Sequence, residues 1–133
     1  MPYVSHQLIV VRSVETACQF YESFVRLTTT HRRNRANGQR IAWLGSSGVN
    51  HRLIVVEGPP LEEPIGPYSH VGVSCSSRSE YEDMLNQCQS AQLVSEGPRS
   101  QEWPICEWFA MRDPDGNRVE VSWGQDQFNG PPV

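Results

Sequence analysis

The feature that most narrows what this chain can fold into is a repeat. "VSHQLIV" fills residues 4–10 and "YSHVGVS" fills residues 68–74. Each sets a Ser-His pair at the head of a short apolar run, and each follows a Pro-Tyr, Pro2-Tyr3 in one case and Pro67-Tyr68 in the other. After His6 the β-branched run "QLIVV" reads as a buried strand. Val14, Ala17, Cys18, Tyr21 and Val25 then recur at helical spacing, with Ser13 as N-cap. After His70, "VGVS" takes the strand role, and Tyr81, Met84, Leu85 and Cys88 form the helical stripe. The first helix-opening serine lies seven residues past each histidine, Ser13 and Ser77, and Ser79 with Glu82 has the spacing of a capping box.

Short strands are expected after each helix, near 28–33, 40–44 and 51–57 in the first half and near 93–95, 107–112 and 119–123 in the second. "ANG", "SSG" and "DPDGN" supply turns between them. The fold class is therefore α+β, a single domain over 1–133 made of two βαβββ modules. Residues 1–57 form the first module, 58–67 ("GPPLEEPIGP") a connector, 68–125 the second module and 126–133 a tail. Modules of roughly 60 residues are marginal alone, so they are expected to share a core or to pair with a second chain.

Composition removes several function classes. Net charge is −4, and all 11 basic residues are Arg, scattered apart from "RRNR" at 32–35. No basic face suited to a phosphate backbone stands out, so no nucleic-acid partner is expected. No basic segment followed by an apolar core opens the chain, and no apolar run nears a membrane span. Cys18, Cys75, Cys88 and Cys106 are far apart with no CxxC, which suits reduced thiols and a cytoplasmic location. There is no GxSxG elbow and no phosphate-binding glycine motif; "LGSSG" at 44–48 is too short.

Strand parity points to a site. His6, Leu8 and Val10 share one face of the first strand, and His70, Gly72 and Ser74 one face of the fifth. In the last strand Glu120 alternates with Val119 and Val121, so an acid occupies the face opposite the core. Two imidazoles and a carboxylate are the ligand set of a facial triad with open coordination sites. The plainer alternative is that each is a solvated strand residue. Trp43, Trp103, Trp108 and Phe109 are candidates to line a cup or to pack in the core.

Three stretches carry a family resemblance: "SHQLIVVRSVETACQFYESFV", "YSHVGVSCSS" and "FAMRDPDGNRVEVSW". Together the chain resembles the vicinal oxygen chelate superfamily of glyoxalase I, type I extradiol dioxygenases, fosfomycin thiol transferases and bleomycin-resistance proteins. The resemblance implies a concave mixed sheet with helices on its convex face. It implies metal ligation by His6, His70 and Glu120, with Fe(II) favoured and Mn, Zn or Ni as alternatives. It further implies a small-molecule substrate with adjacent oxygens and a homodimer, with the site built within one chain or across two.

The branches of the superfamily differ at identifiable positions. Glyoxalase I-like enzymes use a fourth ligand that falls on Ile54 here, and Glu57 reaches the site only if a bulge rotates it inward. A three-ligand site is therefore expected, with a glyoxalase-like lyase or isomerase as the alternative if Glu57 binds. "GVNHRLIVVEGP" resembles the dioxygenase segment carrying an acid/base His, which would be His51. Ala110 departs from the Tyr often found there in dioxygenases, and the absence of any Lys weighs against the thiol transferases. A metal-free drug-binding protein of the bleomycin-resistance type is the rival from a different class.

Overall fold

The computed structural model describes residues 2, 4–46, 52–59, 62–102 and 105–125. The chain divides into two compact units, Met1–Pro64 with Asp113–Gly116, and Ile65–Arg112 with Asn117–Val133. Each holds one helix and one four-stranded mixed sheet.

The first unit runs β1 (Gln7–Val11), α1 (Val14–Ser23), β2 (Thr28–Asn34), β3 (Arg40–Gly45) and β4 (Leu53–Glu57). Its sheet order is β1-β4-β3-β2, with β1 and β4 parallel and the other pairs antiparallel. Ile9 and Val11, Leu53 and Val55, and Val14, Ala17, Cys18 and Tyr21 of α1 are all buried. The alternation read from the sequence therefore turns the expected face of β1 inward. Ser13 starts α1 by accepting a hydrogen bond from the Thr16 amide at 3.3 Å, satisfying one donor that the helix start leaves unpaired.

The turn Asp113–Gly116 belongs to this unit and is fixed by polar contacts. The buried Tyr21 hydroxyl donates to the Asp113 carboxylate at 2.8 Å. Arg12 donates to Asp115 from both its amide, at 2.9 Å, and its Nε, at 3.1 Å. Burial, and then the Asp113 carboxylate, push the Tyr21 phenol far above its ordinary pKa, so it is a permanent donor.

The second unit repeats the plan with β5 (Val71–Ser74), α2 (Arg78–Ser90), β6 (Val94–Ser100), β7 (Glu107–Arg112) and β8 (Arg118–Trp123), in sheet order β5-β8-β7-β6. β5 and β8 are parallel, as β1 and β4 are. Val119, Val121, Phe109 and Met111 are fully buried, with Tyr81, Met84 and Cys88 of α2 also in the core. The cap is Ser77, the helix-opening serine of the repeat, which accepts from the Glu80 amide at 3.1 Å; Ser79, offered by the capping-box spacing, is not the cap. The cap sits two residues before the Ser79–Glu82 pair, and the Glu80 carboxylate accepts from the Ser76 hydroxyl at 2.6 Å and its amide at 3.3 Å, while Glu82 is engaged by Arg78.

β6 also differs from its expected extent: it runs seven residues, through Gly97-Pro98, instead of ending at 95. It is an edge strand whose register shifts twice against β7, between Val94 and Glu96 and between Glu96 and Arg99. An edge strand tolerates a proline that a central one would reject. Cys18, Cys75, Cys88 and Cys106 are all free thiols, the first three buried. Among the described residues, no helix is long and apolar enough to cross a membrane.

Candidate metal centre

Strand register gives the two units matching rows across their sheets. In the first unit the row is Leu8, Ile54, Trp43 and His31. In the second it is Gly72, Glu120, Ala110 and Glu96. Ile54 and Glu120 thus occupy equivalent positions, one apolar and one acidic. The second row pairs its acids with the smallest side chains available, which leaves space over the sheet.

His70 precedes β5 and brings its imidazole over this row. Its Nε2 lies 3.4 Å from Oε2 of Glu120, with the Glu120 side chain largely buried. Its Nδ1 lies 2.7 Å from the Tyr68 carbonyl oxygen. A carbonyl oxygen only accepts, so Nδ1 carries a proton and Nε2 is the ring nitrogen turned toward the carboxylate. Donors about 2.1 Å from a shared metal ion stand roughly 3.0–3.4 Å apart, so this pair fits a divalent ion. Gly72 leaves the imidazole uncrowded: a Cβ there would lie 3.8 Å from the ring.

The other expected site residues are placed as follows. His6 lies in the first unit just before β1, exposed, with Nδ1 2.8 Å from the Ser5 hydroxyl. Both histidines therefore have Nδ1 engaged by a nearby oxygen. His51 and Trp103 lie outside the described residues. Glu57 keeps the parity of Leu53 and Val55, and pairs with Val11 in register without a bulge. Its carboxylate meets Arg40 Nε at 2.6 Å and accepts from the Val14 amide at the start of α1 at 3.4 Å. Among the described residues, no three His, Cys, Asp or Glu side chains come together as a metal-holding group.

One member of the site was not anticipated. Arg118 is two residues before Glu120 on β8, hence on the same face. Its nearly buried guanidinium donates from Nη2 to Glu96 at 2.9 Å, and Nη1 lies 3.6 Å from Glu120. The same Nη1 is 3.4 Å from His70 Nδ1, and the group stacks over Trp108 at 5.6 Å from the ring centroid. To reach β6 it crosses β7, where Ala110 separates Glu120 from Glu96 in the row. Its parity with Glu120 was legible in the sequence; the acid on β6 that holds it was not.

Paired βαβββ units with a His and a Glu facing one another across the parallel strands of one sheet define a small class of proteins. The profile of the Glyoxalase/Bleomycin resistance protein/Dioxygenase superfamily matches residues 3–121, and the chain belongs to that superfamily. An uncharacterized protein of Pseudomonas aeruginosa is 32% identical over 127 residues, covering 93% of this chain and 90% of its own. Among solved structures, the fosfomycin resistance protein FosX of Mesorhizobium loti aligns with a TM-score of 0.71 at 16% identity, over 93% of each chain. A possible glyoxalase from Bacillus cereus aligns at 0.67 and 21% identity, over 90% of this chain and 96% of its own. TnmS3, an antibiotic-binding protein from Streptomyces sp. CB03234, aligns at 0.68 and 16% identity, over 92% of this chain and 96% of its own. At these identities the three structures share the fold.

Proposed function

We propose that this protein is a divalent-metal-dependent enzyme acting on a small molecule with adjacent oxygens, with His6, His70 and Glu120 as metal ligands. The observation that carries this reading is His70 Nε2 held 3.4 Å from the Glu120 carboxylate, with Nδ1 engaged by the Tyr68 carbonyl. A bound dication would supply Lewis acidity to a chelating substrate. Tyr68 fixes the His70 tautomer, and Glu120 contributes the charge that compensates the ion. His6 is the third ligand, from the same chain or from a homodimer partner.

The site is read as a three-ligand site of the extradiol-dioxygenase type, with Fe(II) the favoured metal and Mn, Zn or Ni as alternatives. Ile54 at the position equivalent to Glu120, and Glu57 engaged by Arg40, support three protein ligands over four. FosX of Listeria monocytogenes has been solved complexed with Mn(II), which keeps that ion in the set to be tried. His51 is assigned the acid/base role on its resemblance alone. Substitution of Co(II) tests the reading: a visible spectrum that changes in both H70A and E120Q supports it, and one insensitive to both opposes it. Light scattering after size exclusion tests the dimer, with a monomer as the contrary result.

A second reading has its own observation. Arg118 sets a positive charge 3.6 Å from Glu120 without a metal, as a metal-free drug-binding protein would require. TnmS3, an antibiotic-binding protein, shares the fold. A ligand that binds chelator-treated protein as tightly as metal-loaded protein favours this reading over the first.

A further inference from the structure

We infer that Arg118 is the residue that binds an anionic oxygen of the substrate, held in place for that purpose by Glu96, so that the site selects substrates carrying one negative charge. The inference rests on the metal reading above and extends it to the class of substrate.

The geometry separates the two ends of the guanidinium. Nη2 is committed to Glu96 at 2.9 Å, a charge-assisted hydrogen bond of ordinary length. Nη1 points the other way, toward the corner where His70 and Glu120 meet, but at 3.6 Å from Glu120 and 3.4 Å from His70 Nδ1 it makes no close bond. Because His70 Nδ1 carries its own proton, the second approach sets donor against donor. A nearly buried guanidinium is thus anchored firmly at one end and weakly engaged at the end that faces the candidate metal corner. Stacking on Trp108 fixes the plane of the group.

The charge balance gives the ligand class. Glu96 and Glu120 set two negative charges against the one positive charge of Arg118. Arg99 also approaches Glu96, at 3.6 Å, but is more than half exposed and screened by water. A dication at Glu120 and His70 converts this excess of one negative charge into an excess of one positive charge. A monoanion whose adjacent oxygens chelate the ion restores neutrality, and Nη1 is the nearest buried donor to receive its oxygen. A 2-hydroxy or 2-oxo carboxylate, or a singly ionised catechol, has this chemistry. A neutral diol does not.

The test uses Mn(II)-loaded protein and two probes, glycolate and neutral ethylene glycol, followed by water-proton relaxation of the bound ion. R118Q is expected to lower glycolate affinity by about tenfold or more, the loss of one charge-assisted hydrogen bond, with Mn(II) affinity retained or increased. Ethylene glycol affinity is expected to be unaffected. If R118Q fails to fold because Glu96 loses its closest partner, the double variant R118Q/E96Q removes both charges and gives the same readout. Equal glycolate affinity in parent and variant overturns the role of Arg118 while leaving the metal site standing, and so does loss of Mn(II) from R118Q. A parent that binds no Mn(II) overturns the metal reading and this inference with it.

Discussion

Nε2 of His70, one residue before β5, stands 3.4 Å from Oε2 of Glu120 on β8, the strand that runs parallel to β5 in the second unit. The hydrogen bond from Nδ1 to the Tyr68 carbonyl turns Nε2 toward that carboxylate. The first unit, built on the same plan, offers Ile54 where the second offers Glu120. Duplication supplied the scaffold twice, and the carboxylate at this position once.

Glu57 is the residue that distinguishes a three-ligand from a four-ligand site. Its carboxylate is held by Arg40 and by the start of α1, on the face of β4 that packs with Leu53 and Val55. We expect E57Q to leave metal stoichiometry unchanged and to cost about 0.5–1 kcal/mol in urea unfolding, since Arg40 is half exposed. Loss of metal from E57Q would place Glu57 among the ligands.

The Tyr21–Asp113 hydrogen bond fixes the Asp113–Gly116 turn within the first unit. Y21F leaves the Asp113 carboxylate without this donor, and we expect a loss of about 1–3 kcal/mol by urea denaturation. A change within experimental error would mean that Asp113 finds another donor.

Phenol ionisation gives a pH signature. Burial, and then Glu107, push the Tyr81 pKa up to about 12, and Tyr21 is raised further still. Both folded values exceed the unfolded value of about 10, so the native state keeps protons that the unfolded chain releases. Stability is therefore complete below pH 10 and falls as pH rises above it, by up to about 1.4 kcal/mol per pH unit for each retained proton. The Tyr81 hydroxyl is buried and finds no hydrogen-bond partner among the described residues. Y81F is thus expected to keep its stability at neutral pH and to lose less of it above pH 10, as urea midpoints measured across that range will show.

Capping separates two serines that the sequence made hard to tell apart. S77A removes the acceptor for the Glu80 amide and is expected to cost about 1 kcal/mol. S79A, inside α2, is expected to change stability by less than about 0.5 kcal/mol. Thermal unfolding of the two variants side by side checks the order.

Much of this was legible before any coordinates. The two Ser-His runs mark β1 and β5, and the period-two alternation of Val119, Glu120 and Val121 puts an acid on the face opposite the core. Parity set Glu57 opposite Ile54 unless a bulge intervened, and it pairs in register with Val11 and meets the Val14 amide. What sequence could not supply depends on partners distant along the chain. Arg118 shares a face with Glu120 by parity, but its anchor Glu96 lies two strands away, in an edge strand whose register shifts decide what faces what. The extent of β6 was missed because Gly97-Pro98 reads as a turn, whereas an edge strand accommodates it. The repeat marked Ser77 and the capping-box spacing marked Ser79, and spacing alone cannot show which serine hydroxyl meets an amide.

Metal content by mass spectrometry, on anaerobically purified protein beside H6A, H70A and E120Q, addresses the ligand assignment most directly. We expect about one Fe, Mn, Zn or Ni ion per site in the parent and its loss in all three variants. A parent that stays metal-free after reloading with each ion, or variants that keep the ion, would contradict it.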